Sequence, residues 1–361
     1  MKTGIIGLPQ VGKTSLFKIL TKADVSNRSS NPREAHIGIA TVPDDRLDRL
    51  AAQCNPRKLI HAQVEYADMG AIGQEALKET AYLSSLRGVD ALVHVVRVFE
   101  DDSIAHAGGS LDPLRDIANV EFDLMVSDLA QVEARLERMK KDLLKKKTPE
   151  LEKENELLLR TKAFLETERP LREMEMTKDE KKIVRGFMFL SEKPILYVLN
   201  ISESTTLGVD LEAAVAKYGL GERAGRLNTG ASAICGKVEA ELAEMTDEEA
   251  AEFLGSYGLE ESGLARLIRK SYELLGLISF FTVGEDEYRA WTVERNTRAQ
   301  DAAGAIHTDL QKHFIRAETI HWDTLLELGS EAAARAAGKL RLEGKEYIVQ
   351  DGDILHIRHS G

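Results

Sequence analysis

The first 120 residues alternate short apolar segments with amphipathic segments, a pattern typical of α/β folds. Residues 4–6 predict a strand that leads into a helix over residues 15–20, and the apolar run 89–96 predicts a buried strand of a parallel sheet. A similar run, 194–199, comes much later and ends at Asn200. We therefore predict an α/β domain whose mostly parallel sheet resumes after an insertion.

The insertion has the spacing of two packed helices. Apolar residues step by three and four in its first half and by seven in its second half, with a break at Thr148 and Pro149. Isolated helices of this length are marginal in water, so we predict an antiparallel helical hairpin, or short coiled coil. The predicted seam residues are Leu129, Val132, Leu136, Met139, Leu143, Leu151, Leu158 and Leu165.

The charges of the hairpin are also patterned. Basic residues gather towards the tip of the first helix, and acidic residues open the second. The basic residues are Arg135, Lys140, Lys141, Lys145, Lys146 and Lys147. Charge pairing across the hairpin explains this pattern, and so does a basic finger that contacts RNA or a ribosomal surface.

The C-terminal part changes character again. Strand-like runs at 279–283 and 289–293 precede a helix around 299–314, and residues 347–349 and 354–358 predict a β-hairpin through a turn at 351–353. This mixture predicts a small α+β domain. We assign residues 1–120 and 191–275 to the sheet domain, 121–190 to the helical arm and 276–361 to the C-terminal domain.

Composition excludes several classes of protein. With 361 residues, 43% of them hydrophobic, the chain should be globular, and the formal net charge of −12 argues against a DNA-coating protein. Cys54 and Cys235 are far apart, which argues against a disulfide framework or a zinc site. We expect a cytoplasmic protein without a membrane span, because no apolar run approaches the necessary length.

The segment from Gly7 to Thr14 fits G-x-x-x-x-G-K-[ST] at every fixed position. In this motif the backbone amides and the following helix surround phosphates, the lysine contacts the β and γ phosphates, and the hydroxyl binds Mg²⁺. Lys13 is therefore a candidate catalytic residue, and Thr14 a candidate metal ligand. The predicted nucleotide-binding residues here are Gly7, Pro9, Gln10, Val11, Gly12, Lys13, Thr14 and Ser15.

Three further segments complete the predicted site. Asp68 follows a strand and fits the Walker-B role near Mg²⁺, and Gly70 stands two residues beyond it as a second catalytic candidate. Asn200, Ile201 and Glu203 occupy the place where related GTP-binding proteins carry N-K-x-D. Because Glu203 replaces the aspartate that pairs with guanine, we expect ATP to be preferred over GTP.

Alternatives remain open for some of these residues. Asn200 is also compatible with a strand cap that lies away from the base. Cys235 follows another predicted strand, where its backbone N–H would contact the nucleotide, or it is a buried small hydrophobe. Residues 69–73 offer no polar side chain to orient a water, and Gln74 is the first candidate.

Together these motifs resemble the YchF/Obg-like ATPase family, a branch of the translation-factor-related P-loop NTPases. The resemblance covers nearly the whole chain, and it includes the arm and the C-terminal block. The segments that carry it include 7–14, 42–47, 94–97, 99–102, 200–203, 235–242, 302–309, 314–318 and 338–345.

The resemblance implies a P-loop domain, a helical-hairpin arm and a β-grasp TGS domain. Members bind and slowly hydrolyse ATP, use GTP less well and associate with ribosomes. It therefore implies Mg²⁺ and ATP as ligands, and a ribosome or ribosomal RNA as partner.

The chain departs from the family at three positions. Gln10 replaces an asparagine that helps to hold an activating K⁺ in related NTPases, which argues against potassium stimulation. Asp68 and Gly70 are one residue closer than in the family's D-x-x-G, and Pro32 stands where the family has a threonine near Mg²⁺. Both switch regions are therefore altered.

Three functions follow as hypotheses. In the first, an ATPase switch acts on the translation machinery and nucleotide orders segments 30–45 and 68–82. In the second, bound nucleotide only stabilises a binding module. The third, a GTPase, requires the altered N-x-x-E motif to recognise guanine.

Overall fold

The computed structural model describes residues 1–22, 35–101, 103–145, 147–203 and 211–360. Their contacts divide the chain into two compact units. The first contains Met1–Ile39 and Glu65–Lys270, and the second contains Ala40–Val64 and Ser271–Gly361. The described strands form two six-stranded sheets.

Strands and helices alternate through most of the chain. The strands are β1 (Lys2–Ile6), β2 (His36–Thr41), β3 (Lys58–Ile60), β4 (Gln63–Asp68), β5 (Ala91–Arg97), β6 (Ile195–Asn200), β7 (Thr229–Ile234), β8 (Leu277–Val283), β9 (Glu287–Glu294), β10 (Phe314–His321), β11 (Arg341–Glu343) and β12 (Asp353–His359). The helices are α1 (Lys13–Thr21), α2 (Asp45–Cys54), α3 (Gln74–Lys78), α4 (Thr80–Arg87), α5 (Pro113–Lys145), α6 (Pro149–Leu165), α7 (Lys178–Val184), α8 (Leu211–Lys217), α9 (Gly221–Ala224), α10 (Gly236–Leu242), α11 (Asp247–Ser256), α12 (Gly263–Leu274), α13 (Ala299–Ile306), α14 (Thr308–Lys312), α15 (Trp322–Leu328) and α16 (Glu331–Ala336).

The first sheet has the strand order β2-β4-β1-β5-β6-β7. From β4 to β7, each neighbouring pair is parallel. β5 and β6 are partners although α5, α6 and α7 lie between them in sequence. The prediction of a mostly parallel sheet that resumes after a helical insertion is therefore confirmed.

β5 and β6 are buried along their whole length, because the sheet is covered on both faces. Ile117 and Val120 of α5 share a core cluster with Leu92 and Val96 of β5 and Leu199 of β6. The base of the inserted helix is thus part of the same hydrophobic core as the sheet.

The arm is formed by α5 and α6. Thr148 caps α6, since its hydroxyl accepts a hydrogen bond from the Leu151 N–H at 3.3 Å, and Pro149 occupies a first-turn position that needs no donor. The break predicted at these two residues is therefore observed. The buried residues of the arm that pack in one cluster include Met125, Val132, Leu136, Met139, Leu157, Leu158 and Leu165.

α5 spans 33 residues, which corresponds to a length of about 50 Å. Its first part packs on the sheet and its later part packs on α6. Because the helix is continuous, a displacement of its base would be carried along the arm.

Some arm charges pair across the hairpin. Arg135 donates two hydrogen bonds to Glu154, at 2.8 and 2.9 Å, and Lys162 contacts Glu133 at 2.6 Å. Lys140 instead contacts Glu137 on its own helix. Lys146 lies outside the described residues. Pairing across the hairpin therefore accounts for Arg135 but not for Lys140.

A buried ionic cluster joins the base of α5 to the first sheet. The carboxylate of Glu121 accepts hydrogen bonds from Arg172 at 2.6 Å, Arg223 at 2.8 Å and the Tyr197 hydroxyl at 2.5 Å. Burial alone would raise the pKa of Glu121, but the Arg172 charge, the hydrogen bonds and the Arg223 charge hold it below its ordinary value. Glu121 is therefore an ionised anchor for two arginines.

The second unit is α+β. Its sheet has the order β11-β10-β12-β8-β9-β3, in which β12 runs antiparallel to β10 and parallel to β8. Ala299, Ala302 and Ala303 of α13 pack in its core. The assignment of the C-terminal part to a TGS domain and the three-part division of the chain stay predictions.

Residues 40–64 belong to this second unit, although the sequence analysis grouped them with the sheet domain. They supply α2 and the edge strand β3, whose Lys58 pairs with Glu287 of β9. Arg46 contacts both Asp44 and Asp351 within the unit. No periodic pattern predicts this long-range pairing, because β3 has only three residues.

The predicted β-hairpin over 347–358 is wrong. Residues 347–349 form no strand, and Ile348 makes an isolated bridge with Arg298. The Asp353 carboxylate instead accepts hydrogen bonds from the Gln350 N–H at 2.9 Å and the Tyr347 hydroxyl at 2.7 Å. Hydrogen bonds to the Asp353 side chain thus stabilise this turn, which strand pairing was expected to stabilise.

The Glu121→Gln substitution should strongly destabilise the protein. An amide leaves Arg172 and Arg223 without a buried counter-charge, and breaking a buried ion pair costs about 3–5 kcal/mol in the free energy of unfolding. Urea denaturation at neutral pH measures this loss.

Glu133→Gln is the matched control, because Glu133 is also an ion-paired glutamate of α5 but is exposed. It should cost far less than Glu121→Gln. The difference should also shrink below about pH 4.5, because the depressed pKa of Glu121 stabilises the fold only while the carboxylate is charged. Equal effects of the two substitutions would contradict the anchoring role.

Candidate nucleotide-binding site

The loop from Gly7 to Thr14 connects β1 to α1 in a conformation that requires glycine at two positions. Gly7 has φ of 152° and Gly12 has φ of 98°. A Cβ atom would lie 2.5 Å from the Val95 carbonyl oxygen at Gly7, and 2.6 Å from the Asn200 amide nitrogen at Gly12. The backbone is thus packed closely against β5 and β6.

Lys13 is the first residue of α1, and its side chain is only 7% exposed. Its ammonium group donates a hydrogen bond to the Leu8 carbonyl oxygen at 2.6 Å. Burial lowers the pKa of Lys13 to about 8, although the charge of Asp68 opposes this shift. A partly desolvated cation beneath a phosphate loop gains electrostatically when an anion binds.

Asp68 ends β4 directly beside β1, where it pairs with Ile5 in the register. It is 8% exposed, and Thr14 lies at the start of α1. A hydroxyl and a carboxylate are oxygen donors that suit Mg²⁺, which keeps several water and phosphate ligands. Within the described ranges, no group of three or more His, Cys, Asp or Glu residues forms a complete metal cage.

The segment after Asp68 lies against the phosphate loop. The Met69 N–H donates to the Ile5 carbonyl at 3.2 Å, and the Ile72 N–H donates to the Gly7 carbonyl at 3.1 Å. The Gly70 carbonyl accepts from the Tyr82 hydroxyl at 3.3 Å. These bonds fix the backbone of the shortened loop at the edge of the predicted phosphate site.

Potential water-orienting side chains are scarce in this segment. Met69 and Ile72 are buried apolar residues, and Gln74, the first polar candidate, is exposed at the start of α3. Pro32, the other altered position of the predicted metal site, lies outside the described residues. The described part of the loop therefore supplies backbone groups and no polar side chain that points to catalysis.

Asn200 links three parts of the site. Its side-chain nitrogen donates to the Val11 carbonyl oxygen at 3.1 Å, and its side-chain oxygen accepts from the Gly236 N–H at 3.0 Å. The end of β6, the phosphate loop and the start of α10 are thus held together. This position within the site favours the predicted role over a distant strand cap.

Glu203 is held by a neighbour that the sequence analysis did not identify. Its carboxylate accepts a hydrogen bond from Lys237 at 2.5 Å, and the Tyr257 hydroxyl lies 3.5 Å away. The hydrogen bond and charge of Lys237 lower the pKa of Glu203. Glu203 is therefore an ionised hydrogen-bond acceptor.

Many of these residues line a cavity of about 1020 Å³. The predicted residues that line it are Gln10, Gly12, Ser15, Asn200, Ile201, Glu203 and Cys235. Gly7, Pro9, Val11, Lys13, Thr14, Asp68 and Gly70 are not part of its lining. The cavity thus covers mainly the region beyond the phosphate loop, which is where a nucleoside would extend.

The sequence analysis missed part of the lining. The additional residues are Lys18, Ile19, Phe99, Glu100, Asp101, Ile104, Ser202, Gly236, Lys237 and Ala240. Residues 99–104 follow β5, and ligands of α/β sheets bind beyond the carboxyl ends of the strands. That rule points to this loop once β5 is known to lie between β1 and β6.

Cys235 lines the cavity but is only 3% exposed. It directly precedes α10, whose first N–H, from Gly236, is already bonded to Asn200. Burial of the thiol fits the small-hydrophobe interpretation. Ile201 is likewise 2% exposed, and its backbone N–H bonds to the Ile234 carbonyl.

No helix in the described parts of the chain combines the length and the apolar character that a bilayer span requires.

Comparisons with known proteins agree with this geometry. A family model described as "50S ribosome-binding GTPase" matches residues 2–148. The C-terminal model of YchF GTPases, described as "Protein of unknown function (DUF933)", matches residues 277–360.

Curated relatives extend the similarity over the whole chain. The Ribosome-binding ATPase YchF of Bacillus subtilis is 42% identical and covers 100% of this chain and 99% of its own. The protein of that name from Haemophilus influenzae is 38% identical, with 99% of both chains covered. Obg-like ATPase 1 of Oryza sativa subsp. japonica is 35% identical and covers 100% of this chain and 92% of its own.

A solved structure shows the same architecture. The structure of the Schizosaccharomyces pombe YchF GTPase superposes with a TM-score of 0.84 at 32% identity, covering 99% of this chain and 97% of that chain. Full-length identity and a shared fold thus agree with the resemblance found in the motifs, and the chain belongs to the YchF family of P-loop NTPases.

Proposed function

We propose that the protein binds ATP with Mg²⁺, hydrolyses it slowly and uses the nucleotide state to control its association with the ribosome. The observation that carries this proposal is the buried Lys13 beneath a phosphate loop whose cavity continues to Glu203. The curated relatives named Ribosome-binding ATPase support both the nucleotide and the partner. A ribosomal partner implies the cytoplasm as the site of action.

The phosphate end of the nucleotide would be held by charge and by backbone amides. The Lys13 ammonium would contact the β and γ phosphates, and the amides of residues 10–15 would donate at the N-terminus of α1. Thr14 and Asp68 are the residues that would hold Mg²⁺. When bound, Mg²⁺ neutralises developing charge on the phosphates.

The base end would discriminate through Glu203. Its charged carboxylate is a hydrogen-bond acceptor, which suits the 6-amino group of adenine and repels the 6-oxo group of guanine. Lys237 holds the carboxylate in place and partly balances its charge. We therefore propose ATP as the preferred nucleotide and GTP as the weaker one; Gln10 argues against a K⁺ requirement.

Slow hydrolysis follows from the segment after Asp68. Lys13 and the backbone near Gly70 would stabilise the transferred phosphoryl group, but Met69 and Ile72, which follow Asp68, are buried apolar side chains that cannot orient a water. Transition-state stabilisation without an oriented nucleophile gives modest acceleration.

A second candidate is a nucleotide-stabilised binding module without turnover. The hydrogen bond from Ile72 to Gly7 favours it, because it ties the shortened loop to the phosphate loop. Titration with ATP and GTP in the presence of Mg²⁺, with phosphate release followed in the same samples, separates the two. Binding with slow turnover supports the ATPase, and binding without turnover supports the module.

Lys13→Ala should weaken ATP binding by roughly 100-fold or more, because it removes the cation that contacts the phosphates. Isothermal titration calorimetry measures the change. Lys18→Ala is the control, since Lys18 lies on the same helix and lines the cavity but is exposed. An unchanged ATP affinity in Lys13→Ala would show that the phosphates do not bind at this loop.

Glu203→Gln should lower the ratio of ATP affinity to GTP affinity by roughly tenfold. The amide keeps the size of the side chain but can donate to the 6-oxo group of guanine. Competition binding with labelled nucleotides gives the ratio. Lys237→Ala, which leaves Glu203 charged, should retain the ATP preference. If Glu203→Gln binds both nucleotides as the unaltered protein does, another residue recognises the base.

ATP affinity should fall as the pH rises through about 8. In the free protein Lys13 loses its charge above that pH, whereas bound phosphates raise its pKa and keep it protonated. The dissociation constant should therefore be flat just below pH 8 and rise by up to about tenfold per pH unit above it. In Lys13→Arg, whose guanidinium stays charged, the dissociation constant should stay flat through pH 8. If it still rises above pH 8 in this variant, the titration of another group causes the rise.

A further inference from the structure

Phe99, Glu100, Asp101 and Ile104 form one wall of the cavity. These four residues lie in the first part of the connection between β5 and α5, which spans residues 98–112. None of the four belongs to a helix or strand. Contacts other than those of regular secondary structure must therefore hold these residues in place.

Arg97 supplies most of the contacts that define this shape. It is the last residue of β5 and is 4% exposed. Its guanidinium donates hydrogen bonds to the carbonyl oxygens of Phe99 at 3.1 Å, Asp101 at 3.2 Å and Ile104 at 3.1 Å. A single side chain thus gathers three carbonyl groups of one loop.

The same guanidinium also orients an aromatic ring of the wall. The central carbon of the Arg97 guanidinium lies 4.5 Å from the centroid of the Phe99 ring. Such a cation–π contact stabilises the ring against one side of the arginine while the residue still lines the cavity. Arg97 therefore fixes both the backbone and one side chain of the wall.

Only arginine can make this set of bonds. Its planar fork carries five donors in fixed directions, whereas the lysine ammonium has three donors on one atom. Lysine at this position keeps the positive charge but cannot span the Phe99, Asp101 and Ile104 carbonyls. The charge-preserving substitution is therefore the informative one.

The wall faces the nucleoside half of the cavity. Of the phosphate-loop residues, only Gln10 and Gly12 line the cavity, whereas the base-end residues Asn200 and Glu203 both do. A change in the wall should consequently alter contacts to the sugar and base while leaving the phosphate contacts in place.

We propose that Arg97 is a positioning residue for nucleotide binding, which holds Phe99, Asp101 and Ile104 as a preformed wall for the nucleoside. This inference rests on the proposed function, because it requires a nucleotide in the cavity. A preformed wall spares the nucleotide the cost of ordering the loop, so its loss appears as weaker affinity.

The test compares ATP with inorganic tripolyphosphate, each with Mg²⁺, on the full chain. Arg97→Lys should weaken ATP binding by roughly tenfold or more while tripolyphosphate affinity stays within about twofold of the unaltered protein. A purely structural defect would lower both affinities together. Calorimetric titration and a thermal melt on the same samples provide the two readouts.

Arg172→Lys is the matched control. Arg172 is another almost fully buried arginine of the first unit, at 3% exposure, but it binds Glu121 and does not line the cavity. It should lower thermal stability without selectively weakening ATP. If it reproduces the ATP defect of Arg97→Lys, or if Arg97→Lys binds ATP normally, the proposal is overturned.

Hydrogen exchange of the unaltered protein keeps the proposal testable if the variant folds poorly. ATP should slow exchange of the amides in residues 98–105, and tripolyphosphate should not. Equal protection by both ligands, or by neither, contradicts a nucleoside wall. If the unaltered protein binds tripolyphosphate but not ATP, or binds neither, the proposed function fails as well; normal ATP binding with an unaffected Arg97→Lys refutes this inference alone.

Discussion

Burial of the Lys13 ammonium beside the Asp68 carboxylate is the constraint on which the first unit depends. A desolvated cation is costly, and the Leu8 carbonyl and the Asp68 charge offset only part of that cost. The glycines at positions 7 and 12 let the loop pack onto β5 and β6 around this cation. The proposed phosphate site therefore lies at the carboxyl edge of the parallel sheet.

The same sheet also supports the arm. α5 shares a core with β5 and β6 at its base and a second core with α6 further along, while Glu121 fixes its base through two arginines and a tyrosine. The wall residues follow β5, and the same connection continues through residues 105–112 to the start of α5. The proposed nucleotide site and the arm are thus joined through one connection of the chain, which is the route that the proposed nucleotide-dependent switch would use.

The sequence predicted the parts of the fold that have strong local signals. The phosphate loop, the parallel strands around it and the break at Thr148 and Pro149 each combine a periodic pattern with a distinctive residue. The prediction of a C-terminal hairpin was wrong, because two apolar runs around a turn do not reveal that Tyr347 and Gln350 donate hydrogen bonds to Asp353. Strand β3 was not predicted, because its partner, β9, is remote in sequence.

In the site, the sequence identified the residues that belong to contiguous motifs. It could not reveal Lys237 beside Glu203, because these residues are 34 positions apart in the chain. The bonds from Arg97 are local in sequence, but they depend on a loop conformation that no periodic pattern predicts. The burial of individual side chains could not be predicted either. Cys235 and Ile201 occupy the expected segments but are almost inaccessible to solvent. Position along the chain was thus predictable, whereas side-chain environment required the fold.

Co-sedimentation of the purified protein with ribosomes, in a non-hydrolysable ATP analogue, in ADP and without nucleotide, tests the central claim most directly. The account predicts that the fraction bound changes between the ATP analogue and ADP, and that Lys13→Ala no longer responds to nucleotide. Equal binding of the unaltered protein in all three conditions, or no binding in any of them, would contradict a nucleotide-controlled association with the ribosome.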